Sequence, residues 1–114
     1  MDHKKLIAWQ KALKLVLKVY NLSSSFPENE RYGLTSQIRR CAVSIPSNIA
    51  EGAGRESKKE YIRFLSISIG STAELETQCI IAMELNYFKT KEIFKQITEV
   101  KKLILGLRKS LQNY

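Results

Sequence analysis

Apolar residues recur every three or four positions in four separate segments of this chain, and no segment alternates with a period of two. In the last segment, one such stripe is formed by Ile93, Ile97, Val100, Ile104 and Leu107. This spacing is typical of amphipathic helices, whereas strict alternation would indicate strands. The sequence therefore predicts an all-α protein. Short polar connections make consecutive helices antiparallel neighbours, which gives an up-down-up-down four-helix bundle.

Proline and glycine mark the expected ends of the first two helices. Phe26-Pro27 ends a first helix over 3–26, because the residue before proline disfavours helical geometry. A second helix over 32–53 closes at Gly52 and Gly54, since glycine accepts the left-handed conformation common just past a helix end.

Polar capping residues mark the starts of the other two helices. Ser57 and Glu60 fit a capping box, which begins a third helix over 58–86. Thr90 is positioned to cap the fourth helix. The whole chain, 1–114, is long enough to form one domain whose core needs no disulfide.

Pro46 lies inside the second predicted helix, where a proline costs about 3 kcal/mol unless packing, a kink or a partner compensates. The sequence leaves open whether this proline kinks the helix or splits it. A hairpin centred near residue 55 would set Ala42 and Ser44 at the height of 66–68. These side chains are small, so the second and third helices can approach closely at this height.

The chain offers little to catalysis or metal binding. Cys41 and Cys79 lie among apolar neighbours and read as free thiols of the core. The single histidine, His3, is near the terminus, so neither a zinc site nor a catalytic triad is indicated. We expect a protein that is not an enzyme and needs no cofactor.

The net charge of +8 is concentrated in the terminal helices. Residues 1–22 carry five lysines against one aspartate, and 89–114 carry seven basic residues against two glutamates. These helices adjoin in the predicted bundle, so their charges can form one basic side; a second basic group surrounds the hairpin between helices two and three. Such basic faces have two interpretations: they can bind the phosphate backbone of a nucleic acid, or they can serve only to keep the protein soluble. Few exposed aromatic rings are expected, so binding would be directed at the backbone. The candidates for nucleic-acid contact are Lys11, Lys14, Lys18, Arg39, Arg40, Arg55, Lys58, Lys59, Arg63, Lys95, Lys101, Lys102, Arg108 and Lys109.

Two apolar stripes on the first helix together cover roughly 220° of its circumference, wider than a usual buried face. One compact subunit cannot cover so broad a face, which predicts a homo-oligomer built through a second apolar surface. A polar stripe on the second helix is either solvated or part of the same interface. The interface candidates are Ala8, Ala12, Leu15 and Val19 of the first helix and Gln37, Ser44, Asn48 and Glu51 of the second.

No apolar run approaches the roughly 20 residues that span a bilayer, and the first residues lack the features of a signal peptide. We therefore expect a cytoplasmic protein that does not enter the membrane.

Several motifs, in this order, resemble the four-helix bundle proteins of the 23S rRNA intervening-sequence family. They are FP at 26–27, LTSQIRR at 34–40, SIPSNIAEG at 44–52 and FLSISIGSTAELETQ at 64–78, and the resemblance extends from Leu6 to Leu111. It implies small bacterial proteins that form four-helix bundles and assemble into homopentamers. A related branch of the family serves as an accessory to the reverse transcriptase of diversity-generating retroelements and binds nucleic acid and the polymerase.

Two functions remain open at this point. The first is an oligomeric protein, pentameric as the family resemblance implies, that binds nucleic acid, RNA before DNA, through its basic helix faces. The second is a scaffold or accessory subunit, for example of a reverse transcriptase, which uses the same charged surface to bind another protein.

Overall fold

The computed structural model describes residues 2–113, so the predicted domain, 1–114, extends one residue beyond the described part at each end. Four helices are present and residues 2–113 contain no strand. Their bounds are α1 Ile7–Ser23, α2 Leu34–Ala53, α3 Lys58–Glu84 and α4 Glu92–Gln112. The predicted helix over 3–26 is shorter in the structure, since His3–Lys5 forms a separate 3-10 turn and Leu6 is extended.

The helices occupy the four corners of an elongated bundle that measures 46 × 24 × 20 Å. Each helix packs against the next along the chain, and α1 also packs against α4. Over the described part of the chain, the diagonal pairs α1–α3 and α2–α4 make no such contact. The predicted proximity of the first and last helices is confirmed.

The register between α2 and α3 is antiparallel and lies close to the predicted one. The Ser68 hydroxyl donates to the Ile45 carbonyl at 2.8 Å, and the Cys41 thiol donates to the Ser71 carbonyl at 3.2 Å. Later residues of α3 thus meet earlier residues of α2. These contacts place the centre of the hairpin one or two residues beyond the predicted position near 55.

The core is built mainly from isoleucine and leucine. Complete burial of each such side chain contributes about 1.5–3 kcal/mol, before the loss of conformational entropy is counted. Cys41 and Cys79 are buried in it as free thiols, as predicted. The largest fully buried aliphatic side chains are Leu15 and Val19 of α1, Ile38, Ile45 and Ile49 of α2, Leu65 and Leu75 of α3, and Ile93, Ile97, Val100 and Ile104 of α4.

The predicted interface stripe of α1 is wrong. Ala8, Ala12, Leu15 and Val19 are at most 5% exposed and lie in the core of the single subunit. The reason is the corner position of α1: α2 and α4 flank this stripe on both sides and cover it. The other apolar stripe, which contains Leu13, Val16 and Tyr20, is only partly left at the surface: Leu13 is 40% exposed, whereas Val16 is 8% exposed.

α2 continues through Pro46 without interruption from Leu34 to Ala53, which decides against a split helix.

The prediction of left-handed glycines at the end of α2 is wrong, because no glycine among the described residues has a positive φ and Gly54 has φ −86°. Gly52 serves a different purpose. A Cβ at this position would lie 2.9 Å from the Phe64 Cβ, so Gly52 allows α2 and α3 to approach closely.

The capping residues act largely as predicted. The Ser57 hydroxyl accepts the Glu60 backbone N–H at 3.0 Å and begins α3. The Thr90 hydroxyl accepts the Glu92 N–H at 3.3 Å, although Lys91 is the residue that flanks α4.

No helix within residues 2–113 combines the length and the apolar character that crossing a membrane requires.

Candidate nucleic-acid interface

An open groove of about 630 Å³ separates the last turns of α1 from the first turns of α2. Its volume lies within the roughly 300–1,000 Å³ of ordinary ligand sites. Three arginines and two tyrosines dominate it, and we call it the arginine–tyrosine groove. Its lining residues are Tyr20, Arg31, Tyr32, Thr35, Ser36, Arg39, Arg40 and Val43.

Arg39 is held rigidly on the wall of this groove. Its Nε donates to the buried Ser23 hydroxyl at 2.8 Å, and its Nη2 donates to the Tyr20 carbonyl at 3.3 Å. The guanidinium also lies 4.7 Å from the centre of the Tyr20 ring, within the range of a cation–π interaction. Two hydrogen bonds leave other N–H groups of the fork available, because an arginine has five. Arg39 is therefore a preorganised donor.

Tyr32 stands at the mouth of the groove and is 88% exposed. Its neighbour Arg31 places a guanidinium 5.4 Å from the ring centre. A ring that buries so little of its surface contributes almost nothing to folding. Among the described aromatic residues only Tyr20 and Tyr32 are exposed, which agrees with the expectation of few accessible rings, and both of them lie in this groove.

The positive charge of the groove is poorly neutralised. Over residues 2–113, Arg39 and Arg40 form no ion pair, and the Arg40 contact is a 3.3 Å hydrogen bond to the Ser36 hydroxyl. Arg31 meets the Glu28 carboxylate at 3.7 Å, but both side chains are more than half exposed. Such exposed pairs contribute 0–1 kcal/mol and separate easily. The Glu30 carboxylate is engaged elsewhere, since it accepts the Leu34 N–H and the Tyr87 hydroxyl.

The basic residues predicted around the second hairpin are divided between the two ends of α2. Arg39 and Arg55 are 16 positions apart, which corresponds to about 24 Å along the helix. Arg55 and Arg63 both lie against the Phe64 ring, at 4.9 and 5.7 Å from its centre. Arg55 also pairs with Glu51 of α2, and Arg63 pairs with Glu60 of α3. Their neighbours Lys58 and Lys59 are exposed in the first turn of α3.

The predicted basic side of α1 and α4 is only partly formed. Lys11 of α1 pairs with Glu99 of α4 at 3.4 Å, so part of its charge is balanced. Arg108 turns towards α3 and donates to the Ser66 hydroxyl at 3.1 Å. Lys18 is half-buried, and the exposed members of the predicted set are Lys14, Lys95, Lys101, Lys102 and Lys109.

The predicted polar stripe of α2 faces a second groove, which lies between α2 and α3. Gln37, Ser44 and Asn48 line this groove, whereas Glu51 pairs with Arg55 at 3.4 Å and does not. The Ser44 hydroxyl donates to the Ser71 hydroxyl at 2.8 Å. The stripe therefore helps to hold α2 against α3.

Cys41 lies at the bottom of the same groove. Burial, reinforced by a 3.3 Å hydrogen bond to the Glu74 carboxylate, raises the pKa of this thiol to about 12. Burial likewise raises the pKa of Cys79 to about 12. Both cysteines are thus protonated at neutral pH and are poor nucleophiles, because the thiolate is the reactive form. The described residues contain no cluster of His, Cys, Asp or Glu suited to a metal ion.

A third, apolar groove continues from the arginine–tyrosine groove along the junction of α1 and α2. We call it the apolar seam, and Val43 lines both grooves. The seam holds about 260 Å³, and its lining residues are Trp9, Leu13, Val16, Val43, Pro46, Ser47 and Ala50.

Sequence reasoning missed three residues of the arginine–tyrosine groove. Tyr20 follows the helical rhythm of one apolar stripe of α1, a pattern that favours the core, yet it is 42% exposed and supports Arg39. Arg31 and Tyr32 lie in the connection before α2. An aromatic residue beside an arginine in a polar connection has no position in the core, and this is the signal that could have identified the pair.

Comparison with known families and structures agrees with this fold. The chain matches the family described as 23S rRNA-intervening sequence protein over residues 4–106. The chain belongs to this family. A crystal structure from Bacteroides thetaiotaomicron, described as a protein of unknown function from the S23 ribosomal protein family, superposes with a TM-score of 0.83 at 24% identity. The alignment covers 90% of this chain and 99% of the other, and at this identity it supports the fold alone. A comparison with curated proteins finds no match.

Proposed function

We propose that this member of the 23S rRNA-intervening sequence family is a non-catalytic, cytoplasmic protein that binds RNA through the arginine–tyrosine groove. The observation that carries the proposal is the convergence of Arg31, Arg39 and Arg40 on one groove with a single, exposed carboxylate partner. The family description refers to an intervening sequence of rRNA, which makes RNA the first nucleic acid to test.

Arginine suits this role because its planar fork can donate two hydrogen bonds to one phosphate. Arg39 is already oriented by Ser23 and Tyr20, so little side-chain entropy is lost when it binds. Release of condensed counterions from the RNA would supply most of the affinity. The exposed lysines of α4 would add a weaker, long-range attraction.

The test measures binding of the full-length protein to a 12-nucleotide RNA labelled with fluorescein, by anisotropy at 50, 100 and 200 mM salt. We expect affinity to fall steeply with salt and to weaken strongly in the double variant R31E/R40E. Loss of two phosphate contacts should reduce the salt slope by about 1.4, because each contact to a single strand contributes about 0.7.

The matched control is K101E/K102E, which changes the net charge by the same amount on exposed positions of α4. Its loss of affinity should be clearly smaller. Equal losses in the two double variants would show that binding follows net charge rather than the groove. Undetectable binding at 50 mM salt would refute the proposed function.

A second proposal concerns self-association, and the apolar seam supports it. Leu13 is 40% exposed beside this seam and Leu17 is 64% exposed one turn further on. Contiguous apolar surface of this kind is typical of subunit contacts. The seam thus replaces Ala8, Ala12, Leu15 and Val19 as the interface of the expected homo-oligomer, whose pentameric state rests on the family resemblance.

Light scattering at micromolar concentration tests this second proposal. The native protein should have a mass several times the 13.1 kDa of one chain, and L13E/L17E should dissociate it. T98E, an exposed position of α4, is the control and should leave the mass unchanged. A native mass of 13.1 kDa would refute self-association.

A further inference from the structure

We infer that the arginine–tyrosine groove selects unpaired RNA, with one base stacked on the Tyr32 ring while the arginines hold the flanking phosphates. This inference rests on the proposed function and adds the class of RNA that the groove accepts.

The first argument is the position of Tyr32. The ring is 88% exposed, and no described hydrogen bond involves its hydroxyl. It stands beside Arg31, and the guanidinium of Arg39 is held deeper in the same groove. An exposed ring beside cations is the arrangement by which proteins bind single strands, since the cations contact successive phosphates and any base can stack on the ring.

The second argument concerns what a duplex can offer. In paired RNA the bases are stacked in the helix interior, and the major groove is too narrow for side chains to read. A duplex would therefore present phosphates and sugars to the arginines but no base to Tyr32. An unpaired strand can satisfy both groups, so Tyr32 should contribute to the binding of single strands only.

The third argument is that the Tyr32 side chain contributes almost nothing to the packing of the bundle. Nearly all of its surface is exposed, and it lies before the first turn of α2. Its replacement should therefore leave the bundle intact, and a change in RNA binding would report on the ring itself. Tyr20 does not offer this separation, because its ring supports Arg39.

The experiment compares Y32A and Y32F with the native full-length protein on two probes. One probe is the labelled 12-nucleotide RNA, of unstructured sequence, and the other is the same strand annealed to its complement. Y32A should bind the single strand about 5- to 100-fold more weakly, the range that loss of one stacked base produces. Y32F keeps the ring and should bind within about twofold of the native protein. Both variants should bind the duplex as the native protein does.

The outcomes separate this inference from the proposed function. If Y32A binds the single strand as well as the native protein while R31E/R40E is weakened, the stacking inference is overturned and the proposed function stands. Equal weakening of Y32A on both probes would also overturn it, because the ring would then act by positioning Arg31. If R31E/R40E is not weakened on either probe, the proposed function itself fails.

Discussion

Replacement of Gly52 by alanine tests the closest contact between α2 and α3. An added Cβ would meet the Phe64 Cβ at 2.9 Å, the Tyr61 Cδ1 at 3.0 Å and the Tyr61 carbonyl oxygen at 3.2 Å. The Phe64 Cβ is bonded to the backbone, so a change of rotamer cannot move it away. The two helices would have to separate by a few tenths of an ångström.

The magnitude follows from two opposing effects. Overpacking of a well-filled contact costs about 1–3 kcal/mol. Alanine in place of a helical glycine returns about 0.5–1 kcal/mol, because the unfolded chain loses conformational freedom. The difference spans about 0–2.5 kcal/mol, and because the Phe64 Cβ cannot move aside, we expect G52A to lie in the upper part, with a decrease of about 1–2 kcal/mol in the free energy of unfolding. For a chain of this length that corresponds to a fall in Tm of roughly 4–8 °C.

Gly70 provides the matched control in α3. No atom lies within 4 Å of a Cβ built at this position, so alanine would meet no neighbour there. G70A should therefore gain only from the higher helix propensity of alanine and become about 0.5–1 kcal/mol more stable. Urea unfolding followed by far-UV circular dichroism at one protein concentration measures both variants. A G52A protein as stable as the native one, beside a stabilised G70A, would refute the close approach.

Three further predictions concern the two buried thiols, the Tyr87 hydrogen bond and the cap of α3. The pKa of Cys41 and Cys79 is raised from 9.0 to about 12, so the folded state holds these protons more tightly than the unfolded state. Their contribution to stability should be complete below pH 9 and lost as the pH rises towards 12, and at pH 8 both thiols should react with a disulfide reagent far more slowly than in urea. Y87F should lower the free energy of unfolding, because the 2.8 Å hydrogen bond to Glu30 is lost; an unchanged urea midpoint would contradict this. S57A should cost about 1 kcal/mol through loss of the α3 cap, and S110A, at an exposed position inside α4, should not lower the stability by the same measurement.

The prediction of the fold succeeded where local spacing carried the information. The stripe that contains Ile93, Ile97 and Ile104 points to the core because any helix with that spacing has one apolar face. The hairpin near residue 55 set the register of α2 and α3 almost correctly, since helical rise and a short turn determine which residues lie at the same height.

The prediction of the functional surface was less successful. Arg39 and Arg40 were identified, but their partners Tyr20, Arg31 and Tyr32 were not, because the groove joins the end of one helix to the start of the next. Arg55 and Arg63 were grouped with them, although helical rise places Arg55 about 24 Å from Arg39, and Arg63 lies against the same Phe64 ring as Arg55. Basic residues that are near one another in the sequence can therefore lie at opposite ends of one long helix.

The amino-acid sequence by itself determined four amphipathic helices, their order and the pairing of neighbours, because these depend on periodicity and on short connections. Only the tertiary structure decided which stripe of α1 is buried. Both stripes are apolar, and the burial of Leu15 and Val19 rather than Leu13 and Tyr20 depends on where α2 and α4 lie around that helix. The same packing left Tyr20 at the surface beside Arg39 and so formed the groove to which we assign RNA binding.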